Sequence, residues 1–215
     1  MNEEPMGAGR PMRGRPPTLR AGAQTRSRIT GTAAVLMRRR GYHATGLTEV
    51  LARSEAPKGS LYHYFPGGKE QLASEAVREG ARVVTEQITA AFAANGDLAG
   101  VLRTFADGLA AGLVESGFRD GCPVATVTLD AASDSPIIAD ACAAGFLEWR
   151  DTIAVELGRR GYTEGEAAKL ATLVLSAFEG ALLVARATRD ARPLNDVADT
   201  LGDALGDRAV PEATR

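Results

Sequence analysis

Cysteine and aromatic residues are scarce in this chain of 215 residues. Two cysteines, Cys122 and Cys142, do not make a disulfide framework at this length, and a reducing cytoplasm is the simplest location. Aromatics are only 5% of the residues while alanine and glycine are abundant, which favours close-packed helices over a β-sandwich. No uninterrupted apolar run approaches the roughly 20 residues of a membrane span. No apolar stretch follows the N-terminal arginines, so we expect neither a membrane segment nor a secretory signal.

Acidic residues are almost missing from one part of the chain, although the net charge is only −2. Between Gly9 and Lys69 there are 12 basic residues and two acids, whereas the rest of the chain holds 13 basic and 25 acidic residues. A basic head on an acidic body is typical of a nucleic-acid-binding module attached to another domain. The alternative is that the charges only keep two surfaces soluble, and it accounts less well for so complete a segregation.

Helical spacing and turn residues predict three helices in the basic head. Residues 1–22 are rich in proline, glycine and arginine and have few large apolar residues, so we expect a flexible basic arm there. Residues 25–40 have the spacing of a first helix. Thr45 is the expected N-cap of a second short helix. Pro57 is the expected first residue of a third helix, which ends near Phe65.

The acidic body is predicted to be helical as well, which makes the fold class all-α. Helices are expected at 69–94, after 95–97, from about 122 or 123, from 136 to about 160, at 164–189 and at 194–205. The helix at 164–189 is apolar on almost all sides and must be covered on more than one of them. A second copy of the chain would cover it, so we expect a homodimer through 164–189 and 194–205. The alternative is a central helix buried within one subunit.

The segment APKGSLYHYFPGGKE at residues 56–70 concentrates aromatic, imidazole and lysine side chains between glycines. If its helix follows two others across a tight turn, the three form a helix-turn-helix whose third helix enters the major groove of DNA. Leu61 and Phe65, four residues apart, would then anchor that helix to the other two. The outward residues, Ser60, Tyr62, His63 and Tyr64, would offer hydrogen-bonding groups to DNA.

The residues GYHATGLTEVLARSEAPKGSLYHYFPGGKEQL resemble the DNA-binding domain of the TetR family of bacterial transcriptional repressors. The glycine, the threonine, the K-G-S-L-Y run, the final phenylalanine and the lysine–acid pair all coincide with the family's pattern over about 25–76. Farther along the chain, GCPVATVTLD and AFEGALLVAR resemble the LmrA/YxaF-like branch of that family, as does the double glycine of FPGGKEQL.

The resemblance implies two sets of DNA contacts. Phosphate contacts are expected from Thr45, Lys58, Tyr62, Tyr64 and Lys69, and base-edge or groove contacts from Pro57, Gly59, Ser60 and His63. Lys69 also has a physical reason to bind phosphate, because a helix N-terminus favours anions. Glu55 departs from the pattern: it stands where the family commonly has a glycine, and a left-handed backbone there would cost it about 1 kcal/mol. The order Tyr62-His63-Tyr64 also departs from the family's Tyr-Tyr-His, which leaves the base-reading role of His63 open.

The N-terminal run MRGRPP contains Arg-Gly-Arg-Pro, which is similar to the core of an AT-hook. Arginines on an extended strand can enter a narrow minor groove, and Arg13 and Arg15 are our candidates for that role. The alternative is a basic tail that adds only non-specific affinity.

No catalytic constellation is visible in the body, so we expect the chain to be neither an enzyme nor dependent on a cofactor or metal. Both histidines lie in the head, and neither cysteine has neighbours that suggest a metal ligand or an activated thiolate. The family resemblance implies instead a small apolar or aromatic effector bound between helices of the body. Candidate lining residues are Phe105, Cys122, Phe146, Trp149 and Glu179, and for each of them ordinary core packing is the alternative.

The sequence therefore predicts a cytoplasmic, ligand-responsive transcriptional regulator that binds double-stranded DNA as a homodimer and acts as a repressor. The expected domains are a basic arm at 1–22, a helix-turn-helix domain at 23–68, a helical effector-binding and dimerisation domain at 69–208 and a tail at 209–215. The alternative function is an architectural DNA-binding protein without a ligand. An enzyme with a fused DNA-binding head fits less well, because the body lacks a nucleophile, base or metal set.

Overall fold

The computed structural model describes residues 19–94 and 96–206, and this part of the chain is all-α, which confirms the expected fold class. A single 3₁₀ turn, Lys58–Ser60, leads into the third helix. The α-helices of the described residues are α1 Leu19–Arg40, α2 Leu47–Arg53, α3 Leu61–Tyr64, α4 Gly68–Ala94, α5 Leu98–Glu115, α6 Ala125–Ala131, α7 Pro136–Arg159, α8 Glu164–Thr188 and α9 Arg192–Leu205.

The first helix is longer than the sequence pattern predicted. It begins at Leu19, so the expected boundary between arm and head at residue 22 falls inside α1. Residues 19–24 read LRAGAQ, and leucine, arginine, alanine and glutamine all have high helix propensity, which lets the helix start before the amphipathic pattern does. At its other end Gly41 adopts a left-handed backbone with φ +79° and donates its N–H to Met37 O at 2.8 Å. Glycine at this position costs no steric strain.

The start of α2 corrects one expectation. Its N-cap is Gly46, which has no side-chain capping bond, so Thr45 is not the cap. Thr45 is instead fully buried, and its hydroxyl donates to Gly41 O at 2.7 Å. The threonine thereby ties the end of α1 to the start of α2.

The turn between α2 and α3 is a Schellman motif with a glutamate in the glycine position. Ala56 N–H donates to Leu51 O at 3.0 Å and Glu55 N–H donates to Ala52 O at 3.3 Å, which is the paired bonding of that motif. Glu55 has φ +52°, so the left-handed backbone considered for this position in the sequence analysis is present. This turn sets the angle at which the third helix leaves the second.

The body is a bundle in which α4 packs along α7, α5 packs against α9, and α8 lies against both α7 and α9. Asp97 caps α5 by accepting from Gly100 N at 2.5 Å, and Thr163 with Glu166 forms a capping box at α8. The short helix α6 starts at Ala125, slightly later than expected. Outside the head, α1 contacts both α4 and α6, so the first helix belongs to the packing of both parts.

Candidate DNA interface and effector cavity

The third helix presents opposite faces to the core and to solvent. Leu61 and Phe65 are buried, which confirms their expected anchoring role. Pro57, Lys58, Gly59 and His63 are exposed, and Tyr62 is 69% exposed, which is unusual for a large aromatic side chain with no partner to cover it. The short helix is thus held by its buried residues and presents polar rings to solvent. Such a surface is suited to contact with a groove of DNA.

Two of the predicted contact residues also have partners within the fold. The Ser60 hydroxyl donates to Pro57 O at 2.6 Å, so its lone pairs remain as acceptors while its donor is in use. The Tyr64 ring is half-buried and lies edge-on to His63, with ring centroids 4.8 Å apart. Its hydroxyl also lies close to Gly22 of α1. Tyr64 therefore faces the first helix, whereas Tyr62 faces outward.

Lys69 lies in the first turn of α4 and faces the turn between α1 and α2. Its ammonium is 3.3 Å from His43 O and 4.4 Å from the centre of the Tyr42 ring. Partial burial lowers the pKa of Lys69, and the nearby carboxylate of Asp130 opposes that change. Because a backbone carbonyl and an aromatic face already hold the ammonium, its position is fixed before any phosphate arrives. Sequence reasoning did not place Tyr42 or His43 in this site.

The remaining predicted DNA contacts have different outcomes. Thr45 has an exposed fraction of 0% and a hydroxyl already bonded inside the fold, so its side chain is inaccessible to phosphate in this structure. Arg13 and Arg15 lie outside the residues that the structure describes.

The body contains a cavity of about 320 Å³ between α1, α4, α5, α7 and α8. Four of the five predicted lining residues border it: Phe105, Cys122, Trp149 and Glu179. Phe146 does not border it but packs edge-on against Trp149, with ring centroids 5.5 Å apart. The Trp149 indole N–H donates to Ala81 O at 2.9 Å, so its one polar group is satisfied by α4 and its ring is left to pack.

Cys122 and Glu179 are two of the polar residues in the mostly apolar wall. They are neighbours in the wall, and burial raises the pKa of the Glu179 carboxyl. Burial and, second, the charge of Glu179 raise the pKa of Cys122 well above its usual range, so this thiol is not an activated thiolate. No group of three or more His, Cys, Asp or Glu side chains that could hold a metal occurs in residues 19–94 and 96–206.

Ion pairs join the first helix to the connection between α5 and α6. Asp120 accepts from Arg38 Nη2 and, at 2.5 Å, from Arg39 Nε. Arg186 of α8 donates to Arg39 O at 2.8 Å. On α6, Asp130 accepts the backbone N–H of His43 at 2.7 Å. The sequence showed that the last turn of α1 is cationic. It did not show that carboxylates of the body pair with this turn and with the residues that follow it.

One side of α8 is exposed and apolar. Leu173, Ser176, Gly180, Leu183 and Val184 form this surface, which we call the α8 stripe. Leu183 is 62% exposed and Leu173 is 50% exposed. By length and composition, α8 is the one helix of the described residues that could cross a membrane, which is weak evidence for a membrane span because the core helix of a soluble protein passes the same test. The outward face of α9 is polar instead, with Asp196, Asp199, Thr200 and Asp203 exposed.

Comparisons with known proteins agree on both halves of the chain. A family model described as bacterial regulatory proteins, tetR family, matches residues 29–76. A model of the C-terminal domain of LmrA/YxaF-like transcriptional regulators matches residues 99–200.

Full-length relatives and solved structures give the same result. The chain is 40% identical over 196 residues to the uncharacterized HTH-type transcriptional regulator Rv0196 of Mycobacterium tuberculosis, covering 88% of this chain and 98% of that protein. It is 32% identical over 181 residues to the HTH-type transcriptional regulator LmrA of Bacillus subtilis, covering 84% and 96%. A crystal structure of a TetR transcriptional regulator from Chloroflexus aurantiacus matches with a TM-score of 0.72 and 26% identity, covering 89% and 100%.

A helix-turn-helix head on a helical body defines a DNA-binding transcriptional regulator. The chain belongs to the TetR family of bacterial regulators, within its LmrA/YxaF-like branch. Because the family and the named relatives are transcriptional regulators and not enzymes, the expectation that the chain is not an enzyme is confirmed.

Proposed function

We propose that this regulator is a cytoplasmic repressor that binds a partly palindromic operator as a homodimer and is released by a small apolar or aromatic effector. The observation that carries this proposal is the sharing of two helices between head and body. Helix α4 begins beside the recognition helix at Gly68 and borders the cavity at Gly80, Val84 and Ile88. Helix α1 borders the same cavity at Gly31, Ala34 and Val35. A molecule that reshapes the cavity therefore acts on the helices that hold the head.

On DNA, the exposed side of the third helix enters the major groove. Lys58 and Tyr62, with the less exposed Tyr64 and Lys69, contact phosphates, while Pro57, Gly59, Ser60 and His63 approach base edges. Thr45 keeps its structural role and is left out of this set, because its side chain is buried. The basic head supplies the sequence-independent part of the affinity.

Dimerisation pairs the α8 stripe with its copy in a second subunit. Ser176 has a small side chain and Gly180 has none, which lets two helices approach closely, and Leu173 and Leu183 flank them as apolar contacts. We assign α9 a smaller part, because its exposed face is polar: Asp196 and Asp203 are exposed, and Asp199 is paired with Arg103. Two subunits place their recognition helices in successive major grooves, about 34 Å apart.

The effector acts on the distance between the two recognition helices of the dimer. Its rings pack among Phe105, Trp149 and other apolar side chains of the cavity, and Glu179 anchors a polar group. Bound ligand favours a position of α1 and α4 in which the two heads no longer match the operator. A coupling free energy of about 1–3 kcal/mol is sufficient for such a switch.

Footprinting on the DNA upstream of the protein's own gene tests the proposal, followed by addition of molecules found by thermal-shift screening. We expect a protected two-fold symmetric site that is lost when a stabilising molecule is added. Uniform protection without symmetry, unaffected by every stabilising molecule, would instead support the architectural alternative.

A further inference from the structure

The cavity has one polar end, where the α5–α6 connection meets the last turns of α1. Arg38, Asp120, Cys122 and Glu179 all border the cavity. They are close together: Arg38 pairs with Asp120, Gly121 N–H donates to Arg38 O at 3.3 Å, and Cys122 and Glu179 are neighbours in the wall. A further acid of the wall, Glu79 on α4, is already paired with Arg82 at 2.7 Å.

Arg38 has an unused donor at this end. One terminal nitrogen, Nη2, is bonded to Asp120, but the buried Nε has no hydrogen-bond partner among the described residues. A buried N–H without an acceptor is unfavourable, and native structures nearly always satisfy such groups. The second oxygen of Asp120 accepts from Arg39 Nε and makes no hydrogen bond with Arg38 Nε.

The charges at this end do not balance. Arg38 and Arg39 share the single carboxylate of Asp120. Arg186 adds a third positive charge at this end, because it donates to Arg39 O at 2.8 Å and lies beside Gly121, whereas Glu179 adds a second negative charge. The polar end therefore carries an excess of positive charge beside an apolar wall, which favours a ligand with an anionic oxygen.

We propose that the effector is a largely apolar ring compound with one acidic oxygen group, a carboxylate or phenolate, that accepts a hydrogen bond from Arg38 Nε. This inference rests on the effector cavity proposed above and assigns its chemical class. It also makes Arg38 the residue that connects ligand to head. The guanidinium that binds the acid also ties α1 to Asp120 through Nη2, so a bound anion places a second negative charge beside Asp120 and weakens that tie.

Two fluorescent dyes with the same ring system test the inference. Anilinonaphthalene sulfonate carries anionic oxygens, whereas phenylnaphthylamine has the same rings without the sulfonate. We expect Arg38→Gln to weaken binding of the sulfonate dye about tenfold, as expected for loss of one charge-assisted hydrogen bond. Binding of the neutral dye should change less than twofold, which also shows that the variant is folded.

Asp120→Asn should act in the opposite direction. It removes a negative charge that repels an anion bound at Arg38 Nε, so the sulfonate dye should bind more tightly than to the unmodified protein. Gly112→Leu is the control for location: Gly112 borders the cavity, no atom lies within 4 Å of an added Cβ, and leucine there fills space that either dye needs.

The outcomes separate the two proposals. Equal weakening of both dyes by Arg38→Gln, or no preference for the sulfonate dye, would overturn the acidic-ligand inference and leave the effector cavity intact. Unchanged binding of both dyes to Gly112→Leu would show that such molecules do not enter the cavity, which would count against both.

Discussion

Replacing Lys69 with alanine removes an ammonium group that the fold holds at the N-terminus of α4. Two features fix its position: the carbonyl of His43 at 3.3 Å and the face of Tyr42 at 4.4 Å. The first turn of α4 adds N–H groups and a positive helix dipole on the same side. If DNA phosphate binds there, Lys69→Ala should reduce affinity for all DNA sequences alike, because phosphate contacts carry no sequence information.

The magnitude follows from counterion release. Each phosphate neutralised on duplex DNA contributes about 0.9 to the slope of log affinity against log salt. The proposed dimer carries two copies of Lys69, so the variant should lose about 1.8 from that slope. Between about 50 mM and about 200 mM salt, the unmodified protein should therefore lose about tenfold more affinity than the variant does.

Fluorescence anisotropy with a labelled duplex, repeated over a salt series, measures the slope. The chain offers a matched control: Lys169→Ala removes the same charge from an exposed position on α8, far along the chain from the head, and should leave the slope unchanged. Lys69→Arg should retain most of it. If Lys69→Ala has the slope of the unmodified protein, or if Lys169→Ala lowers the slope equally, the phosphate role of Lys69 is wrong.

Leu183→Glu should give a monomer by sedimentation velocity, while Val114→Glu, at another exposed apolar position, should stay dimeric. Identical behaviour of the two variants would contradict the proposed role of the α8 stripe in dimerisation. Glu55→Gly should raise the free energy of unfolding in urea by about 0.5 kcal/mol, since about 1 kcal/mol of left-handed strain is relieved and part is offset by the entropy of glycine in the unfolded chain. A glycine variant less stable than Glu55→Ala would refute this. Because burial raises the folded-state pKa of Glu179, this carboxyl keeps its proton to a higher pH in the folded state than in the unfolded state. The free energy of unfolding therefore decreases as the pH rises above about 4. Glu179→Gln should therefore unfold at a higher temperature than the unmodified protein at neutral pH and at the same temperature below about pH 4; a difference that does not vary with pH would contradict it.

Local features were the ones that sequence reasoning predicted best. The stripe that buries Leu61 and Phe65 and the stop at Gly41 depend on residues within one or two turns of each other. Glu55 was suspected of a left-handed backbone from its place in a motif, and it has φ +52°. Thr45 shows the limit of such reasoning: a threonine before a helix is a good N-cap, but here its hydroxyl bonds back to Gly41 O and Gly46 takes the cap position.

The sequence by itself determined the helices, the basic head, the outward polar face of the third helix and the family, because each depends on short-range pattern or on a contiguous motif. The tertiary structure alone decided how head and body are joined. Arg38 meets Asp120 across 82 positions of sequence, and His43 meets Asp130 across 87. Such pairs form because α6 and the segment before it pack against the end of α1. The periodicity within a single helix does not indicate which helix ends will meet.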